Sequence, residues 1–178
     1  MARQYFSDGP FVDPPVASGT ALVSTSSEAL WLATQFTPIF ANDPKAGKIY
    51  VVEAGGIMTT STSGTLIIAP QYGALGGTTL GVSVTQTVVV SLTNVPWYLR
   101  FVLVFRTIGA TGANSTCIGT GTFNASGAAA TAGSSIVIPF GGTSATVDAT
   151  ANSGITIAKT LSVAGSMTTQ YAFIRSLN

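Results

Sequence analysis

Six carboxylates, Asp8, Asp13, Glu28, Asp43, Glu53 and Asp148, one cysteine, Cys117, and no histidine are all that this chain offers for chemistry. Without histidine, Ser-His-Asp and Cys-His nucleophilic catalysis are excluded, as are histidine-containing zinc sites. A glycoside hydrolase would need two carboxyl groups across a sugar bond, and the spacing of these six does not suggest such a pair. Glu53 lies inside an apolar strand beside Val51 and Val52, where pairing with Arg100 or Arg106 is the expected role. Asp148, in Val-Asp-Ala-Thr, is expected to organise a turn through nearby backbone N–H groups. Calcium would need several oxygen ligands from one loop, and no acidic loop exists. Cys117 reads as a small apolar filler. The pairs Gly55-Gly56, Gly76-Gly77 and Gly141-Gly142 open no helix, belong to no phosphate-binding fingerprint and read as turns. No catalytic residue, metal or cofactor is expected, and the chain is not expected to be an enzyme.

The elements that hold these residues are unusually poor in charge. Only 7% of the 178 residues are Asp, Glu, Lys or Arg, against roughly 25% in an ordinary soluble domain. Hydrophobic residues make up 46% and mean hydropathy is +0.49, yet Thr, Ser, Gly and Arg interrupt every apolar run before it could span a bilayer, so no membrane role is expected. A surface with so little charge is expected to be covered, either by copies of the same chain or by a larger assembly. Net charge is +1, and only Lys45 and Lys48 stand close together, so direct nucleic-acid binding, which needs clustered basic residues, is not expected. The first ten residues lack the apolar core of a secretory signal, which points to synthesis in a cytoplasm. The sequons at Asn114 and Asn124 then read as polar loops.

Two regions follow from composition. Residues 1–27 read as an extended arm: Gly9, Pro10, Pro14 and Pro15 oppose helix and interior strand, while Tyr5, Phe6, Phe11 and Val12 are apolar for a free tail. The arm lies along its own subunit, a neighbour or a larger partner, or else forms a partly disordered terminus. Residues 28–178 read as one β-domain. Threonine and serine number 26 and 18, and threonine's branched carbon suits strands. Strands are predicted at 29–37, 48–60, 65–71, 79–92, 97–107, 116–124, 136–140, 144–148, 154–161 and 167–177, with turn signals between them. That number argues for a sandwich or barrel.

Two strands carry most information. In 97–107, Trp97, Leu99, Phe101, Leu103 and Phe105 form an apolar face that must enter a core. Tyr98, Arg100, Val102, Val104 and Arg106 form the other face, where valines between arginines replace the polar residues that solvent would select. With Glu53, these five are the candidate subunit interface. In 79–92, Leu80, Val82, Val84, Val88 and Val90 are expected to share one face, interrupted by Gln86, and a flat Ser/Thr face opposes them. Edges of this kind invite aggregation unless assembly covers them.

The order of landmarks resembles the small jelly-roll virion proteins of tailed bacteriophages, of the capsid decoration and accessory type. The resembling residues are Trp31 with Pro38-Ile-Phe-Ala, Ala46-Gly47-Lys48 leading into Val51-Val52-Glu53-Ala54-Gly55-Gly56, and the Thr/Ser tract from Thr59 to Thr62. Thr65-Leu66-Ile67-Ile68, Gly73, Trp97, Arg106-Thr-Ile-Gly109-Ala-Thr-Gly112, Val147-Asp-Ala-Thr150 and the ending Ser176-Leu177-Asn178 follow. The resemblance spans roughly residues 28–178. It implies a two-sheet jelly-roll β-sandwich, commonly assembled as a homotrimer.

The function expected from these readings is a capsid decoration (cement) protein on the outside of a phage head. Its partners would be itself and the major capsid protein, with Tyr5, Phe6, Phe11, Pro14 and Pro15 of the arm contacting capsid or a neighbouring copy. The alternative is a tail-fibre or head-fibre tip that binds host-surface glycans, for which Tyr72, Trp31, Asn42, Asn114 and Asn124 are candidates. A coat protein enclosing RNA would need a basic arm, and residues 1–27 contain only Arg3.

Overall fold

The computed structural model describes residues 9–10, 27–31, 39–88, 92–110, 113–127, 135–142 and 144–177. These residues form two antiparallel sheets packed face to face as a β-sandwich, with no helix among them. The strands are β1 (Gly9–Pro10), β2 (Ser27–Ala29), β3 (Ile49–Thr60), β4 (Gly64–Tyr72), β5 (Thr78–Thr79), β6 (Gln86–Val88), β7 (Val95–Thr107), β8 (Ser115–Ala125), β9 (Ile136–Gly141), β10 (Ala145–Val147), β11 (Ile155–Leu161) and β12 (Gly165–Ser176). The larger sheet runs β1-β12-β3-β7-β8-β10, with β9 also on β8, and the smaller runs β2-β11-β4-β5, with β6 also on β4. Strand β8 is thus covered along its outer edge by two short strands, β10 at Ser115–Cys117 and β9 at Thr120–Ala125.

The core follows from alternation. Trp97, Leu99, Phe101, Leu103 and Phe105 are all buried, as the spacing in β7 predicts. They meet Leu66 and Ile68 of β4 and Ile155, Ile157 and Leu161 of β11 in one hydrophobic cluster. Small residues make room for large ones: a Cβ on Gly119 would strike the Phe101 ring, and one on Gly121 would lie 2.7 Å from Phe140. The Phe101 and Phe140 rings therefore stack across this floor at 5.8 Å. Trp97 stacks on Phe123 at 5.7 Å, and its indole N–H donates to the Ile57 carbonyl.

The predicted strand 79–92 is broken, and its expected single apolar face does not exist. Leu80 and Val88 are buried, but Val82 and Val84 are 56% and 63% exposed; Val90 lies outside the described residues. The chain flips at Gly81, whose φ of +127° is left-handed backbone, and a side chain there would run into the Gly141 and Gly142 backbone. Past the flip, Ser83 turns inward and doubles as an edge partner, its N–H donating to the Ile68 carbonyl while its Oγ accepts from the Ile68 N–H. Gly81→Ala is expected to lower stability by about 2 kcal/mol, or about 6 °C in melting temperature, read from a thermal melt.

Gly55-Gly56 also departs from expectation, being mid-strand in β3 rather than a turn. The reason lies opposite, where β12 carries a bulge between Thr169 and Tyr171. A Cβ on Gly56 would fall on the Thr168 carbonyl. The bulge also reverses the parity of β12, so Met167 and Thr169 point inward before it and Ala172 and Ile174 after it.

At one end of the sandwich, Phe105 sits edge-on between Tyr50 and Tyr72, 6.0 Å from each. The Tyr50 hydroxyl donates to Asp43 at 2.6 Å. Burial first, then this carboxylate, holds the Tyr50 phenol far above its usual range. Burial pushes Tyr72 up to about 12, against an opposing contact with Ser153, and pushes the Cys117 thiol up to about 11. All three values are raised on folding, so at alkaline pH the unfolded chain binds fewer protons than the fold and stability falls as pH rises. The urea midpoint is expected to stay flat from about pH 6 to 8, where no histidine titrates, and to drop progressively above about pH 9.

Candidate functional site: the outward face of the larger sheet

The registers place the candidate interface residues on one surface. From β12 across β3, β7 and β8 to β9, the outward residues form rows. The first row is Tyr171, Gly55, Tyr98, Asn124 and Val137; the second is Phe173, Glu53, Arg100, Thr122 and Pro139. The third is Arg175, Val51, Val102, Thr120 and Gly141, and Ile49, Val104 and Ile118 follow. Tyr98, Arg100, Val102 and Val104 are thus neighbours along β7, Glu53 sits across from Arg100, and Arg106 is exposed where β7 bulges between Phe105 and Thr107.

This face is a second apolar surface with a charged band. Val51 is fully buried although it points away from the core, and Ile49, Val102, Val104, Ile118 and Phe173 are half-buried. A solvated face would carry polar residues at these positions. Glu53 pairs with Arg100 as expected, at 3.3 Å from Nε, and also with Arg175, at 3.5 Å from Nη2. Arg106 is not its partner among the described residues. Both arginines are well exposed, so these pairs contribute about 0–1 kcal/mol each; their effect is to fix where the guanidinium groups point. The Tyr98 phenol is pushed upward by partial burial, then by the Glu53 carboxylate, with Arg100 pulling it back and the Tyr171 ring near enough to add to the rise.

Sequence reasoning missed Tyr171. The bulge turns it outward, and the signal for that was the glycine pair facing it. It also missed Lys159. This lysine shares the inward row of β11 with Ile157 and Leu161, is wholly buried, and lies 2.8 Å from the Glu28 carboxylate of β2. The two atoms touch without hydrogen-bond geometry. The Thr169 hydroxyl donates to the Leu30 carbonyl, and the Leu30 N–H donates to Ile157, so one short segment is tied to both sheets.

Gly9–Pro10 of the arm pairs with Phe173 and Ile174 at the edge of its own sheet, a position that tolerates proline. Tyr5, Phe6, Phe11, Pro14 and Pro15 lie outside the described residues. Trp31 and Tyr72 are buried in the core and cannot serve as exposed sugar platforms. Asn42 and Asn114 are exposed in loops, and Asn124 is half-buried beside Tyr98. Asp148 closes a turn, its Oδ1 accepting from the Thr150 N–H and hydroxyl, and these bonds lower its carboxyl pKa. Cys117 is buried, its thiol directed at the Ala145 carbonyl. No group of three or more metal-ligating side chains occurs among the described residues, and no helix there is long and apolar enough to cross a membrane. Comparison with protein-family models, curated proteins and solved structures returned no match.

Proposed function

We propose that this chain is a virion structural protein, a capsid decoration or cement protein that binds the outside of a tailed-phage head as a homotrimer and stabilises the shell. The observation that carries the reading is the outward face of the larger sheet, where Ile49, Val102, Val104, Ile118 and Phe173 remain half-exposed on a chain with only 7% charged residues. A face that continues apolar away from the core is suited to burial against a second copy. The orders β1-β12-β3-β7 and β2-β11-β4-β5 support jelly-roll wiring, with β8, β9 and β10 as an extension of the larger sheet.

In this reading the protein acts by contact and not by catalysis. A ligand that binds only the assembled lattice stabilises it by mass action, by about 2.7 kcal/mol per site at a hundredfold excess over Kd. The arm residues Tyr5, Phe6, Phe11, Pro14 and Pro15 would reach the major capsid protein or the adjacent copy, and the site of action is the capsid exterior after synthesis in the host cytoplasm. The scattered basic residues make direct nucleic-acid contact no part of the role. The test is to mix the purified chain with expanded heads and measure bound copies and head melting. Saturable binding with a raised melting temperature is expected; heads that neither bind the chain nor gain stability would contradict the proposal.

A further inference from the structure

Tyr171 faces Gly55 across the β12–β3 ladder, and a Cβ on Gly55 would lie 2.6 Å from the ring's Cε1 and Cζ. The ring therefore rests on the glycine backbone with its other side toward solvent, and 40% of the residue is exposed. Tyr98, 38% exposed, flanks the same glycine from β7. The two tyrosines thus bracket a flat platform about 10 Å wide, two strand spacings. Glycine is required at its centre, because any side chain would lift the ring off the sheet.

Charge gathers beside this platform. Arg100 and Arg175 share a single oxygen, Oε1 of Glu53, so one positive charge is left unmatched among the described residues. The Nε of Arg175 is buried and has no hydrogen-bond partner among the described residues, so the donors open to a ligand are the outer ones of the two guanidinium groups. Each guanidinium has five N–H donors in a plane that suits a carboxylate. Asn124, on the far side of Tyr98, adds an amide.

We propose that Tyr98 and Tyr171, with Arg100, Arg175 and Asn124 beside them, bind a carboxylate-bearing sugar, a uronate-type unit of an acidic polysaccharide. The apolar C–H face of the sugar ring lies on the tyrosine platform, as aromatic side chains offer flat apolar area with a polar rim. The sugar carboxylate takes the unfilled guanidinium donors, and hydroxyls reach Asn124 and the second oxygen of Glu53. A neutral sugar would leave the excess charge unmatched. Strand addition by an acidic peptide is disfavoured at β3 and β7, which are paired on both sides, and the triglutamate competitor tests it along β12, whose outer side β1 pairs only at Phe173 and Ile174 among the described residues. The site goes beyond the shell role but adjoins the proposed subunit contact, since Arg175 shares a row with Val102 and Arg100 lies between Tyr98 and Val102 on β7; it rests on a contact that leaves these two guanidinium groups open.

The test is binding of the full chain to immobilised polygalacturonate by surface plasmon resonance at about 0.15 M salt, where bare charge attraction is screened. Trigalacturonate, maltotriose and triglutamate serve as soluble competitors. Saturable binding is expected, with trigalacturonate competing at least about tenfold better than the other two. Tyr171→Ala is expected to weaken it by about tenfold or more and Tyr171→Phe to leave it within about twofold, while Arg100→Gln erases the preference for trigalacturonate over maltotriose. Absence of saturable binding, equal competition by maltotriose, equal competition by triglutamate, or wild-type binding by Tyr171→Ala with intact circular dichroism would each overturn the proposal. Solution mass is recorded on the same samples: a monomer that binds uronate contradicts the assembly reading alone, and a trimer that does not bind contradicts this site alone.

Discussion

Glu28→Ala is expected to destabilise the fold by about 3 kcal/mol, the low end of the range for stranding one member of a buried ion pair. Lys159 is wholly buried, and its Nζ lies 2.8 Å from Glu28, whose side chain is 25% exposed. Removing the carboxylate leaves a cation among Ile157, Leu161 and the opposite sheet with no charge to balance it. The partial exposure of Glu28 admits some water, which is why the low end applies. Replacing both residues by apolar ones, Glu28→Leu with Lys159→Met, is expected to restore most of the loss, because the charge and its partner then vanish together. Urea unfolding of Glu28→Leu, Lys159→Met and the double variant forms a cycle that isolates the coupling. Since β2 is only three residues long and Glu28 is its middle one, the single variant is also expected to expose the Leu30–Trp31 segment to limited proteolysis.

Val102→Glu combined with Val104→Glu is expected to convert the proposed homotrimer to monomer with the fold retained. Both side chains point outward from β7, next to Val51 and Thr120 in one row and Ile49 and Ile118 in the next. In the free chain the new carboxylates would sit in solvent between Arg100 and Arg106, which favour them. Across a subunit contact the same carboxylates would be desolvated, at a cost of about 4 kcal/mol, or about a thousandfold in association. Circular dichroism should be unchanged while light scattering reports loss of mass. An unchanged mass would place the subunit contact elsewhere on the molecule.

What the sequence makes legible, and what it hides, follows from the range of the forces involved. Alternation is local, so the inward row of β7, the sandwich class and most strand bounds can be read directly. The Glu53–Arg100 pair follows from two long strands with opposite charges on their outward faces. Strand 79–92 reads as continuous because its valines alternate, yet Gly81 reverses the chain where it meets Gly141 and Gly142 of a remote strand. Gly55-Gly56 reads as a turn because a glycine pair usually marks one; here the pair accommodates a bulge and a ring on β12. Lys159 interrupts an apolar row without local explanation, because its partner Glu28 lies near the other end of the chain. The outward face of Tyr171 was hidden for the same reason, a one-residue bulge that reverses parity.

Under the proposed function, the charge-poor surface is a contact surface centred on the outward face of the larger sheet. The most direct test is the solution mass of the wild-type chain at micromolar concentration, by light scattering coupled to size exclusion. This account predicts three times the 18.0 kDa chain mass, and a species that remains monomeric across that range would contradict it.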